Sequence, residues 1–257
     1  MRIYGLAGMA VSAVFLTSNA PIEGQGSDET PSILAVVAHP DDELVMAPAL
    51  ANLARNGSRV TIVYATSGDA GPGVSGMDKG EALALMREQE AQCAAQALGA
   101  NAIFLRFGDG MLAKAAGQID STAANLRAKL REEIRELRPQ VVMSWGPDGG
   151  YGHPDHRMTS AIVTEVLQEM NEEERPRLFY AGVVKGRIAD ETPFGLWAGT
   201  DPSLLNVRYR YDGKDIASSH AATQCHKTQF DEATRAALMP FFDKAAWQGE
   251  ITFREAF

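Results

Sequence analysis

Cysteine is scarce: Cys93 and Cys225 are the only two in 257 residues. Two such distant cysteines make no disulfide framework and neither belongs to a Cys-x-x-Cys pair, so sulfur ligation of a metal is disfavoured. Cys93 falls in a helical pattern and reads as a buried thiol. Positive charge is also short, with 24 Lys and Arg against 33 Asp and Glu, a formal charge of −9. That balance argues against an electrostatic hold on nucleic acid or on an anionic membrane surface. A small molecule or glycoconjugate is the better partner, and the oligomeric state stays open. The apolar run from Gly5 to Leu16 is too short to span a bilayer as a helix. With Arg2 before it and Ser18-Asn19-Ala20 after it, the run reads as a secretory signal peptide, although Pro21 makes the bond after Ala20 a poor one and moves the cut toward Ser27. Residues 1–26 are therefore expected to be signal and flexible lead. Nothing that looks like a linker divides residues 27–257, which are expected to form one exported domain, periplasmic or secreted, with no stable membrane insertion after cleavage.

What is present is an alternation of strands and helices. Apolar runs at Ile33 to Ala38, Val60 to Ala65, Ala102 to Leu105, Val141 to Ser144 and Leu178 to Val184 predict strands. Between them lie helical patterns at Leu44 to Asn56, Glu81 to Leu98, Ala123 to Leu137 and onward from Met158. This predicts an α/β, Rossmann-like, doubly wound and mostly parallel sheet, ordered 3-2-1-4-5, with helices on both faces. Val207, Tyr209 and Tyr211 predict a late strand, and helices are expected over much of 214–246. Gly71, Gly73 and Gly76 spell a dinucleotide-like G-x-G-x-x-G. It follows the second strand rather than the first, contains Pro72 and does not open directly into a helix, so a glycine-rich loop is the better reading.

Chemistry concentrates at two strand ends. His39-Pro40-Asp41-Asp42-Glu43 follows the first strand and Tyr151-Gly152-His153-Pro154-Asp155-His156 follows the fourth. Acids in a first turn can simply serve the helix dipole, but that explains neither histidine cluster. A strand order that makes strands one and four neighbours brings both clusters to one crevice. Catalytic zinc takes three nitrogen or oxygen ligands and keeps a position for water, and His39, Asp42 and His156 can supply that set: His39 and Asp42, three apart, converge in a first helical turn and His156 reaches across from the neighbouring strand end. Zinc is the expected ion, with ferrous iron or another divalent ion as alternatives. Asp41 is left free beside the water, where a general base belongs. His153 faces the other side, where an imidazolium would stabilise an oxyanion or act as acid, and Asp155 is placed to orient it.

The sequences A-H-P-D-D-E and G-Y-G-H-P-D-H resemble those of the PIG-L/LmbE-like de-N-acetylases. The resemblance runs from about Ile33 to Gln229, taking in Thr66-Ser67-Gly68-Asp69-Ala70-Gly71, the R-x-x-E of Arg87 to Glu90 and the H-x-[ST]-Q of His226 to Gln229. It implies zinc-dependent removal of an acetyl group from an N-acetylated amino sugar, commonly N-acetylglucosamine on an inositol, lipid or antibiotic-like aglycone. It implies metal ligation by His39, Asp42 and His156 and a base at Asp41. It also implies that Arg87 and Asp109 lie toward the sugar hydroxyls and Tyr151 by the reacting carbonyl. The export signal departs from the family's cytoplasmic and membrane-inserted members. Two rivals follow from the residues themselves: a non-haem Fe(II) oxygenase with a two-histidine, one-carboxylate site, and a non-catalytic carbohydrate-binding protein. Free acid and imidazole groups flanking the metal favour hydrolysis over both.

Overall fold

The computed structural model describes residues 31–190, 192 and 195–257, and the signal and lead expected over 1–26 lie outside them. In chain order the main elements are β1 (Ser32–Val37), α1 (Ala47–Arg55), β2 (Arg59–Thr66), α2 (Glu81–Ala97), β3 (Asn101–Phe107), α3 (Thr122–Leu137), β4 (Val141–Trp145), α4 (Pro154–Gln168) and β5 (Arg177–Val184). They are followed by β6 (Gly199–Thr200), β7 (Val207–Arg210), α5 (Gly213–Cys225), α6 (Glu232–Phe242) and β8 (Glu250–Glu255). The sheet runs β3-β2-β1-β4-β5-β8-β7, with β6 beside β5. Its first five strands are parallel and in the expected order. The last strand is the addition: β8 pairs antiparallel with both β5 and β7.

Period-two alternation along β1 divides the core in two. Ile33, Ala35 and Val37 face a layer with Leu50 of α1, Ala94 of α2 and Leu238 of α6. Leu34 and Val36 face Leu126 and Leu130 of α3 and Ile162 and Val166 of α4. Both faces are covered, which is why β1 reads as an unbroken apolar run. Helix α3 shows the local logic: the Ser121 hydroxyl accepts from the Ala124 N–H at 3.2 Å, and Arg138 closes the helix in a left-handed conformation before Pro139. No helix among the described residues is long and apolar enough to cross a membrane.

The cysteines correct the sequence reading. Cys93 is exposed and not a buried thiol, because the α2 face that carries Ala91, Ala94 and Ala95 points inward instead. It forms a disulfide with Cys225, Cα atoms 5.9 Å apart and 132 residues apart in the chain, and so ties α2 to the end of α5. A crosslink closing so long a loop restricts the unfolded chain, and its loss is expected to cost about 2–5 kcal/mol. Denaturant unfolding of Cys93→Ser at constant metal concentration checks this; an unchanged midpoint would show that packing alone joins the two helices.

Candidate metal centre

Parallel pairing of β1 with β4, Val36 opposite Ser144, makes both strands end at the same sheet edge. The chain does not pass from β1 straight into a helix. His39, Pro40 and Asp41 form a tight turn into a 3-10 segment, Asp42–Met46, ahead of α1. The ligands therefore converge through this turn and not through the helical spacing the sequence suggests. Asp41 sits at φ +99°, a region that strains a residue bearing a Cβ. The Asp42 Oδ2 atom accepts from the backbone N–H groups of Ala38 at 3.0 Å and His39 at 2.9 Å, which fixes its carboxylate against the turn.

His156, fully buried near the start of α4, stacks on Trp145 with ring centroids 4.5 Å apart. Its Nδ1–H donates to the Gly149 carbonyl at 3.1 Å, an arrangement that leaves Nε2 with its lone pair toward the turn. From Nε2 it is 3.0 Å to Asp42 Oδ1 and 3.2 Å to His39 Nδ1, and His39 Nδ1 lies 3.6 Å from Asp42 Oδ2. Ligands about 2.0–2.1 Å from a tetrahedral ion stand about 3.3 Å from one another, and the spacings of His156 Nε2 to Asp42 Oδ1 and to His39 Nδ1 suit such an ion. Two further sets, His39 with His153 and His156 and His39 with Asp109 and Asp155, also hold their possible ligand atoms within 4.8 Å of one another.

The far side of His39 faces acids. Its Nε2 is 3.0 Å from Asp109 Oδ1 and 3.5 Å from Asp155 Oδ2. Burial alone would lower the His39 pKa, yet Asp109, Asp155 and Asp42 together hold it well above its ordinary value. Burial would likewise raise Asp42, but His156 and His39 bring it well below the usual carboxylate range. Three carboxylates, Asp42, Asp109 and Asp155, around two imidazoles leave negative charge that a divalent ion would neutralise.

Three roles expected from the sequence change in the structure. Asp109 does not face open space: besides His39, its Oδ2 accepts from the Ala70 N–H at 3.2 Å. Burial would raise it, yet His39 keeps it below the usual range. Arg87 is only 3% exposed and cannot offer its guanidinium to a sugar. Its donors go instead to the carbonyls of Pro40, Gly68 and Gly71 and, at 3.2 Å, to Asp41 Oδ2. The Asp155 carboxylate does not hold His153; it accepts from the N–H groups of Gly110 at 2.7 Å and Leu112 at 3.2 Å. What reaches His153 is the backbone: the Asp155 N–H donates to its Nδ1 at 3.2 Å. Burial, then His39 and His156, lower the His153 pKa. With Nδ1 accepting from the Asp155 N–H, the neutral ring carries its proton on Nε2.

Asp41 and Tyr151 border a cavity of about 400 Å³ whose other wall is apolar, with Trp145, Trp197, Phe230 and Phe242. Burial lifts the Asp41 carboxyl to about 6, with Arg87 pulling it down and Asp42 pushing it up. Burial raises the half-exposed Tyr151 phenol, and Asp42 and Asp41 add to the shift. Sequence reasoning gave no role to Glu43 and His226, which pair at 2.6 Å with neither side chain exposed. The H-x-[ST]-Q pattern marked His226, but nothing local marks a partner 183 residues away.

A family model described as PIG-L, GlcNAc-PI de-N-acetylase, matches residues 34–167. Among curated relatives, a 1D-myo-inositol 2-acetamido-2-deoxy-α-D-glucopyranoside deacetylase of Corynebacterium diphtheriae is 33% identical over 76% of this chain and 75% of its own length. The enzyme of the same name from Mycobacterium sp. strain JLS is 30% identical over 64% of this chain, which spans only 58% of that relative. Among solved structures, the N,N'-diacetylchitobiose deacetylase of Pyrococcus horikoshii shares the fold with a TM-score of 0.66 at 19% identity, covering 88% of this chain and 83% of its own.

Proposed function

This chain belongs to the PIG-L family of GlcNAc-PI de-N-acetylases, and from that premise we propose that it is a metal-dependent hydrolase removing acetyl from an N-acetylated amino sugar or glycoconjugate. One observation carries the reading: His39 Nδ1 and Asp42 Oδ1 stand 3.2 Å and 3.0 Å from His156 Nε2, beside an acid, Asp41, that is not among them. Two imidazole nitrogens and a carboxylate suit zinc, and ferrous iron as second choice. A divalent ion held by His39, Asp42 and His156 would act as a Lewis acid and lower the pKa of water toward neutrality.

The chain's own residues supply the rest. Asp41 takes the proton from the attacking water and returns it to the leaving amine, so that a C–O bond forms, the amide C–N bond breaks, and acetate and a free amine result. The His153 Nε2–H donates to the carbonyl oxygen as it gains charge, with Tyr151 at the rim beside it. Asp109 and Asp155 orient His39, and Arg87 fixes Asp41. An oxygenase would have no use for a base placed this way.

The apolar wall opposite Asp41 supports an aglycone with an apolar face. The test is acetate release from a panel that includes free N-acetylglucosamine, its inositol conjugate and an alkyl glycoside; no release from any of them would count against the reading. Export is proposed as well. The Cys93–Cys225 disulfide supports an oxidising compartment, and N-terminal sequencing that finds Met1 on exported protein would contradict signal cleavage.

A further inference from the structure

Buried ion pairs are costly to desolvate, and an apolar pair of similar volume often stabilises a fold as well or better. The Glu43–His226 pair, fully buried, is therefore poorly explained by stability alone. Its second carboxylate oxygen shows another use. Glu43 Oε1 accepts from His226 Nε2 at 2.6 Å, while Oε2 accepts from the backbone N–H of Asp41 at 2.9 Å. Asp41 is the strained residue of the turn, at φ +99°, and such a conformation persists only where its surroundings over-determine it.

We infer that His226 is a positioning residue, which through Glu43 holds the Asp41 backbone in the left-handed turn that presents the Asp41 carboxylate to the cavity. This rests on the proposed role of Asp41 as base. Helix α2 frames the device from both sides. Its Arg87 grips the Pro40 carbonyl at 2.6 Å and the Asp41 carboxylate at 3.2 Å. Its Glu90 accepts from the Thr228 N–H at 2.8 Å and hydroxyl at 2.6 Å, fixing the loop that carries His226. Its Cys93 bonds to Cys225, the residue before His226. The H-x-[ST]-Q segment thus bears on the site without lining it through His226: base, carboxylate and imidazole form one hydrogen-bonded chain, of which Glu43 and His226 are fully buried.

The experiment compares Glu43→Gln, His226→Ala and His226→Gln, each with and without Asp41→Asn, in zinc-loaded full-length protein, reading kcat, KM, bound zinc and melting temperature. In Glu43→Gln a single acceptor oxygen remains, so His226 and the Asp41 N–H can no longer both donate to this side chain and the double hold on the turn is lost. The variant should keep zinc and KM while kcat falls about 10- to 100-fold, the scale of a small misplacement of a catalytic group. His226→Ala should do the same, and His226→Gln, which can donate to Glu43, should recover most of the loss. In the Asp41→Asn background, Glu43→Gln should change kcat by no more than about twofold, because the positioned group is already gone. A purely structural pair would lower kcat by equal factors in both backgrounds, which would overturn the inference. If His226→Ala fails to fold, the isosteric Glu43→Gln carries the test. Normal kcat in folded, zinc-loaded Glu43→Gln beside a crippled Asp41→Asn would overturn the positioning role alone. Normal kcat in Asp41→Asn would overturn the base assignment and this inference with it.

Discussion

Asp41→Asn is expected to lower turnover by roughly 10²- to 10⁴-fold, the usual contribution of positioned proton transfer, while leaving zinc and fold in place. Asparagine tolerates the left-handed region better than most residues, so the turn at φ +99° should survive. Its amide oxygen can still accept from Arg87, and its backbone N–H still reaches Glu43, so the arrangement of the turn should hold. What disappears is a group able to take a proton. The pH profile supplies a second readout: with Asp41 at about 6, wild-type kcat/KM should fall as pH drops through that value, since only the carboxylate is a base. The variant should lack that limb. Near-normal turnover with zinc bound would move the base elsewhere.

The second large effect is expected from His156→Ala. It removes one of three proposed ligands, and activity should fall to background because no tight site remains. A ligand that binds only the native state adds RT ln(1 + [L]/Kd), about 2.7 kcal/mol at a hundredfold excess over Kd. Wild-type protein should therefore melt later as zinc is added, and His156→Ala should not respond. Loss of the Trp145 stacking and of the bond to Gly149 will also weaken the apo variant. The comparison that matters is consequently the zinc-induced shift within each protein. Full metal retention by His156→Ala would break the ligand assignment.

The parallel half of the fold was legible because its signals are local. The six residues of β1 are all buried, so cover on both faces left an unbroken apolar run, and the Leu126, Leu130 and Ile134 stripe of α3 declared its inner face. Strand β8 was not legible, since its partners β5 and β7 are separated from it by other elements and no hairpin turn announces the pairing. The site shows the same division. His39, Asp42 and His156 stood out through residue type and strand-end position. Direction did not: Arg87, Asp109 and Asp155 each turned toward a neighbour far along the chain, to Asp41, His39 and the Gly110 turn. The strain at Asp41 was equally hidden, because it is imposed by Glu43, Arg87 and the buried His226. Helical spacing gave a sound reason for pairing His39 with Asp42, but the chain reaches that geometry through a tight turn and a 3-10 segment.

Acetate release from an N-acetylglucosamine conjugate by metal-stripped protein, before and after stoichiometric zinc is restored without oxygen, tests the central claim most directly. The account predicts no release from the stripped protein and recovery with one equivalent of zinc, each acetate matched by one free amine. Equal release from stripped and reloaded protein, or none from either with any N-acetylated sugar tried, would contradict it.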